Sequence, residues 1–196
     1  MAKVKAPLFS FEARGKLADA LVYFPWKGID AVRTHVIPAN PQTAAQITQR
    51  GYMTGAVAAW HAASYLANDI AAWNRLANLA ATSRSGFNRM VEEWINEAIL
   101  GGTWEPISDV LVTVIGAAGF QVNLTKASGG NAPTLRWGTS PTNMPENNVM
   151  TDNTLDDWEY APTGLNASTL YYFTVDVGAT GVDWARLGIY TQRTTA

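Results

Sequence analysis

His35 and His61 are the only imidazoles of the chain, and it has no cysteine. Neither histidine has a carboxylate beside it at metal-ligand spacing, and no H-E-x-x-H run occurs. A structural zinc site takes four nitrogen or sulfur ligands, so none is expected. Disulfides and thiol catalysis are excluded outright. Nucleophile signals are equally poor, because the G-x-S-x-G elbow is absent. Ser85-Gly86 reads as a helix start, with Ser85 as its cap. Gly116-Ala117-Ala118-Gly119 lacks the lysine and following helix of a phosphate loop, and reads as a turn between strands. Asp152, Asp156, Asp157 and Glu159 form the densest acidic group. Hard cations want several oxygen ligands, but this run lacks the central glycine and distal glutamate of a helix-loop-helix calcium site. A solvated loop is expected there. No catalytic residue, cofactor or metal ligand is assigned, and the chain is expected not to be an enzyme.

Eight tryptophans carry the remaining candidate chemistry. Trp60, Trp73 and Trp94 fall at helical core spacing, and Trp137 falls in a strand. Trp26, Trp104, Trp158 and Trp184 fall on turns or beside acidic residues. Exposed aromatics mark interfaces or sugar-stacking platforms, and Trp158 and Trp184 are the expected ligand platform.

The composition fits a subunit that is covered by partners. Hydrophobic residues make up 47% of the 196 positions and charged residues 15%, against about 25% charged in typical soluble domains. The net charge of −2 argues against a nucleic-acid coat. No apolar run approaches the roughly 20 residues of a membrane span, and the first residues show no secretory h-region. The charge is unevenly placed. Residues 1–104 hold ten basic and seven acidic residues, and residues 105–196 hold four and nine. Alanine falls from 21 to 9 across the same cut while threonine rises from 6 to 14, a shift from helix formers to strand formers.

These gradients predict an α+β chain in four parts. Residues 1–16 are an arm, with Lys3, Lys5, Arg14 and Lys16 interleaved with apolar Phe9 and Phe11. Residues 17–100 are a β-hairpin and a small three-helix bundle. The hairpin has a strand over residues 21–24, a turn at Pro25-Trp26-Lys27-Gly28 and a strand over residues 29–37 with no cleanly polar face. The first helix is capped by Asn40 with Pro41 in its first turn and runs to about Ala63. The second starts near Asn68-Asp69. The third follows Ser85, with Phe87, Met90, Val91, Trp94, Ile95 and Ala98 at i, i+3, i+4, i+7, i+8 and i+11. Residues 101–106 are a Gly-Gly-to-Pro linker. Residues 107–196 are an all-β sandwich, with strands at 110–115, 120–125, 134–137, 169–177 and 185–191.

One stretch resembles a known family. Leu165, Thr169, Tyr171, Phe173 and Val175 fall on the fibronectin type III pattern L-x-P-G-T-x-Y-x-F-x-V, with Ala167-Ser168 in place of Pro-Gly. Leu135-Arg136-Trp137-Gly138-Thr139-Ser140-Pro141 resembles the family's third strand and the loop after it, and Phe120 stands where the family usually has tryptophan. The resemblance implies an immunoglobulin-like sandwich over residues 106–193, with Tyr171 as the structural tyrosine corner. The segment from Gly15-Lys16 through Trp26-Lys27-Gly28, Arg33 and Pro38-Ala39-Asn40-Pro41-Gln42-Thr43 resembles small uncharacterised phage and bacterial proteins.

The expected function is that of a non-enzymatic phage virion protein, made in the host cytoplasm and found in the particle. The expected role is capsid decoration or head stabilisation. Its N-terminal half would dock through Lys3, Lys5, Phe9, Phe11, Arg14, Lys16, Trp26 and Arg33, and its sandwich would project outward. Expected partners are capsid or other virion proteins and further copies of the chain, with no nucleic acid and no membrane. The alternatives are a tail or baseplate component, or a carbohydrate-binding or adhesion module that meets a host-surface glycan through Trp158 and Trp184.

Overall fold

The computed structural model describes residues 2–3, 15–17, 20–36, 42–127, 130–153, 157–179 and 181–196. The chain is α+β and forms two compact units, Met1–Thr43 and Ala44–Ala196.

In the first unit, β1 (Ala2–Lys3), β2 (Gly15–Leu17), β3 (Leu21–Trp26) and β4 (Ile29–Thr34) make an antiparallel sheet in the order β1-β4-β3-β2. The hairpin is tighter than its sequence suggests. Pairing runs on through Pro25↔Asp30 and Trp26↔Ile29, which leaves a two-residue turn. Lys27 (φ 51°) and Gly28 (φ 75°) both adopt positive φ there, as the tight turn matching strand twist requires.

The second unit opens with α1 (Ala44–Ala62), α2 (Ala67–Asn78) and α3 (Gly86–Leu100). The proposed cap residues Asn40 and Pro41 lie outside the described residues. The Leu66 N–H at the start of α2 donates to Asp69 Oδ2 at 2.8 Å. Ser85 caps α3 by accepting the Asn88 N–H at 3.3 Å, and Gly101 ends that helix in the left-handed conformation. Trp73 and Met90 are fully buried between α2 and α3, while Trp60 and Trp94 are half-buried.

The sandwich has two sheets. One orders β10 (Thr151–Asp152), β11 (Asp157–Tyr160), β7 (Gln121–Thr125) and β6 (Ser108–Thr113). The other orders β5 (Thr103–Trp104), β13 (Asp183–Arg186), β12 (Leu170–Ala179), β8 (Pro133–Gly138) and β9 (Glu146–Val149), with β14 (Tyr190–Arg193) also on β12. All pairs are antiparallel except β5 with β13. Inward positions alternate along the strands, so Val122, Leu124, Leu135, Phe173, Val175 and Val177 form the core with Phe120. This is the fibronectin type III-like sandwich that the resemblance implies.

Two expectations are corrected. The strand expected over residues 185–191 is broken into β13 and β14, because Gly188 and Ile189 turn away from β12 to meet α2, while the Leu187 N–H still donates to the Val175 carbonyl at 2.9 Å. The Ile189 N–H donates to the Ala72 carbonyl at 3.0 Å, and Arg75 donates to the Ile189 carbonyl at 3.2 Å. Gly188 lies so close to the α2 backbone that a Cβ there would overlap Ala72 and Trp73. The helices therefore group with the sandwich, and the boundary expected at residues 101–106 falls inside the second unit. Ile189 enters the helical core with Trp73, Leu76 and Met90, while Ala72 enters the sandwich core. The helices and the sandwich are thus joined by shared apolar contacts.

Candidate interaction surface

Among its described residues, the first unit buries little. Ala31 is its one buried residue among the described ones. Trp26, 54% exposed, and Ile29, 42% exposed, stand directly opposite each other across the hairpin. Leu17 and Val36 are exposed as well. An isolated sheet is stable only with an apolar face packed on something, and these apolar side chains are exposed. Of the expected docking residues, Lys16, Trp26 and Arg33 are exposed on this sheet. The Arg33 guanidinium lies 5.2 Å from the centroid of the Phe24 ring. Lys3 sits in β1; Lys5, Phe9, Phe11 and Arg14 lie outside the described residues.

The start of α1 is similarly bare. Every residue from Gln42 to Gly51 is exposed, and Ala56 is the one buried residue on the helix. Ile47 and Met53 are about half exposed. A helix exposed on all sides gains little from propensity alone, because most helical stability in proteins comes from packing.

The expected sugar platform is not formed. Trp158 is buried, its indole N–H donates to the Lys126 carbonyl at 3.0 Å, and the Lys126 ammonium lies 5.8 Å from its ring centroid. Trp158 points inward because its neighbours Asp157 and Glu159 take the outward positions of β11. Trp184 is half-buried, edge-on to Trp104 with ring centroids 5.7 Å apart. The two tryptophans are not brought together as one exposed face. Tyr171 does form the tyrosine corner: its hydroxyl accepts the Asn166 N–H at 3.0 Å, five residues upstream.

Among the described residues, no three His, Asp or Glu side chains converge as metal ligands. The acidic group is engaged otherwise. Glu159 accepts from the Gln121 amide at 2.5 Å, and Asp156 is outside the described residues. His61 is exposed near the end of α1, and His35 lies on the other unit.

Sequence reasoning missed the buried polar groups. Asp69 is buried, and the Tyr190 hydroxyl donates to its Oδ1 at 2.6 Å. Burial raises the Tyr190 phenol far above its ordinary value, and Asp69 adds to the effect through the hydrogen bond and its charge. Burial, with help from the Asp69 charge, pushes Tyr65 up to about 12. Glu97 on α3 is fully buried; its Oε1 accepts the Gly181 N–H at 2.8 Å, and its Oε2 has no partner. Lys126, also buried, pairs with Glu105 at 2.8 Å. These groups hold helices, linker and strands together.

No family model matches the chain, and no curated protein matches it. Several solved structures are similar to part of the chain. A computationally redesigned β-sandwich protein is 16% identical, covering 47% of this chain and 96% of its own, with a TM-score of 0.38. The sensor domain of the anti-sigma factor RsgI4 from Pseudobacteroides cellulosolvens is 18% identical over 47% of this chain and 95% of its own, at 0.36. The FN5 domain of Drosophila Lar is 15% identical over 48% of this chain and 98% of its own, at 0.34. Likeness at this level says nothing of function, and the sandwich rests on its own strand order.

Proposed function

We propose that the chain is a non-enzymatic, multi-copy structural subunit of a phage particle, a capsid decoration protein. It docks through its N-terminal sheet, and the sandwich faces solvent. One observation carries this reading: a four-stranded sheet with a single buried side chain among its described residues, and with Trp26 and Ile29 exposed as a cross-strand pair. Such a sheet needs a partner surface to cover it, and an edge strand can extend a partner's sheet. The charge distribution agrees. The first 50 residues hold seven basic against three acidic side chains, while residues 105–196 are acidic. Complementary potentials of this kind steer encounter and set register.

The experiment compares the full chain with residues 44–196. Particles purified from a lysate in which the gene is expressed from its own locus should carry the full chain in many copies. The truncated chain, folded by circular dichroism, should stay in the supernatant. Equal binding by the truncated chain, or particles without the protein, would overturn the proposal.

A further inference from the structure

A cleft of about 350 Å³ opens at one end of the sandwich, between the β8–β9 turn and the segment after β11. Its lining includes Trp137, Ser140, Asn143, Glu146, Thr163 and Tyr171. We infer that this cleft binds a single neutral sugar residue. The inference does not depend on the particle reading.

Glu146 stands opposite Trp137, and Asn148 opposite Leu135, where β9 pairs with β8. Directly opposed residues in a sheet share a face. Trp137 and Leu135 are core residues, so Glu146 and Asn148 occupy the face of β9 that a sandwich ordinarily fills with apolar side chains. Asn148 is used structurally, donating to the Tyr160 hydroxyl at 2.7 Å. Glu146 remains an exposed carboxylate at the mouth of the cleft. Glu146 and Asn148 are both exposed polar residues on the sheet face that carries the core at β8, and local breaks of this kind concentrate at functional sites.

The cleft is also preorganised. On one wall, Gly138 lies so close to the turn that a Cβ would meet the Asn143 carbonyl. The Asn143 N–H donates to the Ser140 carbonyl at 3.3 Å, and the Ser140 and Thr142 hydroxyls are 3.1 Å apart. On the other wall, Thr163 bridges to Gly119, and the Leu165 N–H donates to the Ala118 carbonyl at 2.9 Å. Tyr171 fixes the next residue, Asn166. Both walls are held by backbone contacts without a ligand.

The chemistry then selects the ligand class. Hydroxyls of Ser140 and Thr163, the Asn143 amide and the Glu146 carboxylate offer donors and acceptors to vicinal hydroxyls. Trp137 and Tyr171, largely buried, form the apolar floor of the cleft. The volume is at the small end for ligand sites, and no basic side chain lines the cleft, which disfavours anions.

The test is a titration of the 15N-labelled full chain with glucose, galactose, mannose and N-acetylglucosamine. At least one should give saturable amide shifts confined to residues 138–146 and 163–165, with a Kd on the order of 1 mM. Glu146→Ala and Thr163→Val should each weaken binding about tenfold. Asn147→Ala, on the opposite face of β9, should leave it unchanged. Glu146→Gln, which keeps the side-chain shape, guards against a folding artefact and should weaken binding as well. No saturable shift with any of the four sugars, shifts elsewhere, or full affinity in both Glu146 variants would overturn the inference.

Discussion

The Tyr190 hydroxyl donates to Asp69 Oδ1 at 2.6 Å, joining β14 of the sandwich to the first turn of α2. The same carboxylate takes the Leu66 N–H through Oδ2. One buried side chain therefore caps a helix and anchors a strand 121 residues away. Tyr190→Phe removes the long-range bond and leaves Oδ1 buried without that donor. Hydrogen bonds to charged groups contribute about 1.5–3 kcal/mol, and the variant should lose that much stability in urea unfolding. A loss under 0.5 kcal/mol, on the scale of an ordinary surface substitution, would mean the contact is not formed.

The same pair sets an alkaline limit. Both Tyr65 and Tyr190 have folded pKa values above the unfolded value of 10.0. Below pH 10 both phenols are protonated in both states, so their contribution is intact. Above pH 10 the unfolded chain releases these protons while the fold retains them, and stability falls. For Tyr65 the fall extends to about 12. Tyr190 alone can add a slope of up to about 1.4 kcal/mol per pH unit. Stability measured from pH 9 to 11.5 should drop more steeply for the parent chain than for Tyr190→Phe. Parallel curves would show that the Tyr190 phenol ionises as it does in the unfolded chain.

Gly188 tests the seat of the helices on the sandwich. A Cβ there would overlap the α2 backbone at Ala72 and Trp73, and neither is the far end of a flexible side chain. Gly188→Ala should cost about 2 kcal/mol or more, the range of overpacking in a tight core. Gly51 is the contrast, since nothing lies within 4 Å of a Cβ there and it sits mid-helix in α1. Gly51→Ala should be neutral or stabilise by up to about 1 kcal/mol. Equal effects at the two positions would contradict the packing described.

The hairpin, the Ser85 cap and the tyrosine corner were legible because each is local chemistry within a few residues. The failures have physical causes too. The burial of Glu93 and Glu97 on α3 has no local signal, because their partners, Arg89 with Arg186 and Gly181, lie mostly on distant elements. Trp158 read as exposed because acidic residues flank it, although period-two alternation sends neighbours and tryptophan to opposite faces. β9 carries the sequence Glu-Asn-Asn-Val, which has no strand signal until its pairing with β8 is known. The broken strand at residues 187–189 follows from α2 packing, which no periodicity within the strand encodes.

The tyrosine corner offers a local probe. Tyr171→Phe deletes the acceptor of the Asn166 N–H while keeping the ring packed near Phe120. The loss should be about 1 kcal/mol, the scale of a neutral hydrogen bond. Equilibrium unfolding of the two chains measures it. An unchanged midpoint would show that water replaces the hydroxyl at no cost.

The shared core makes the sandwich depend on the helices. A cut near Gly102 would strip Ala72 from the sandwich core and Trp73, Leu76 and Met90 from around Ile189. It would also leave the Tyr190 hydroxyl without Asp69. Ile189 and Tyr190 are 1% and 5% exposed in the whole chain, and fully burying a large apolar side chain contributes about 1.5–3 kcal/mol. Domains of this size have only about 5–15 kcal/mol of net stability. Residues 103–196 alone should therefore keep their strands but unfold at markedly lower urea than residues 44–196, and should bind a hydrophobic dye that the longer chain excludes. Residues 44–196 should unfold in a single transition with an m-value appropriate to the whole unit, since m follows the surface exposed on unfolding. If the isolated sandwich matches the longer chain in midpoint and excludes the dye, the helices are an appendage. The contacts through Gly188 and Ile189 would then add nothing to the fold.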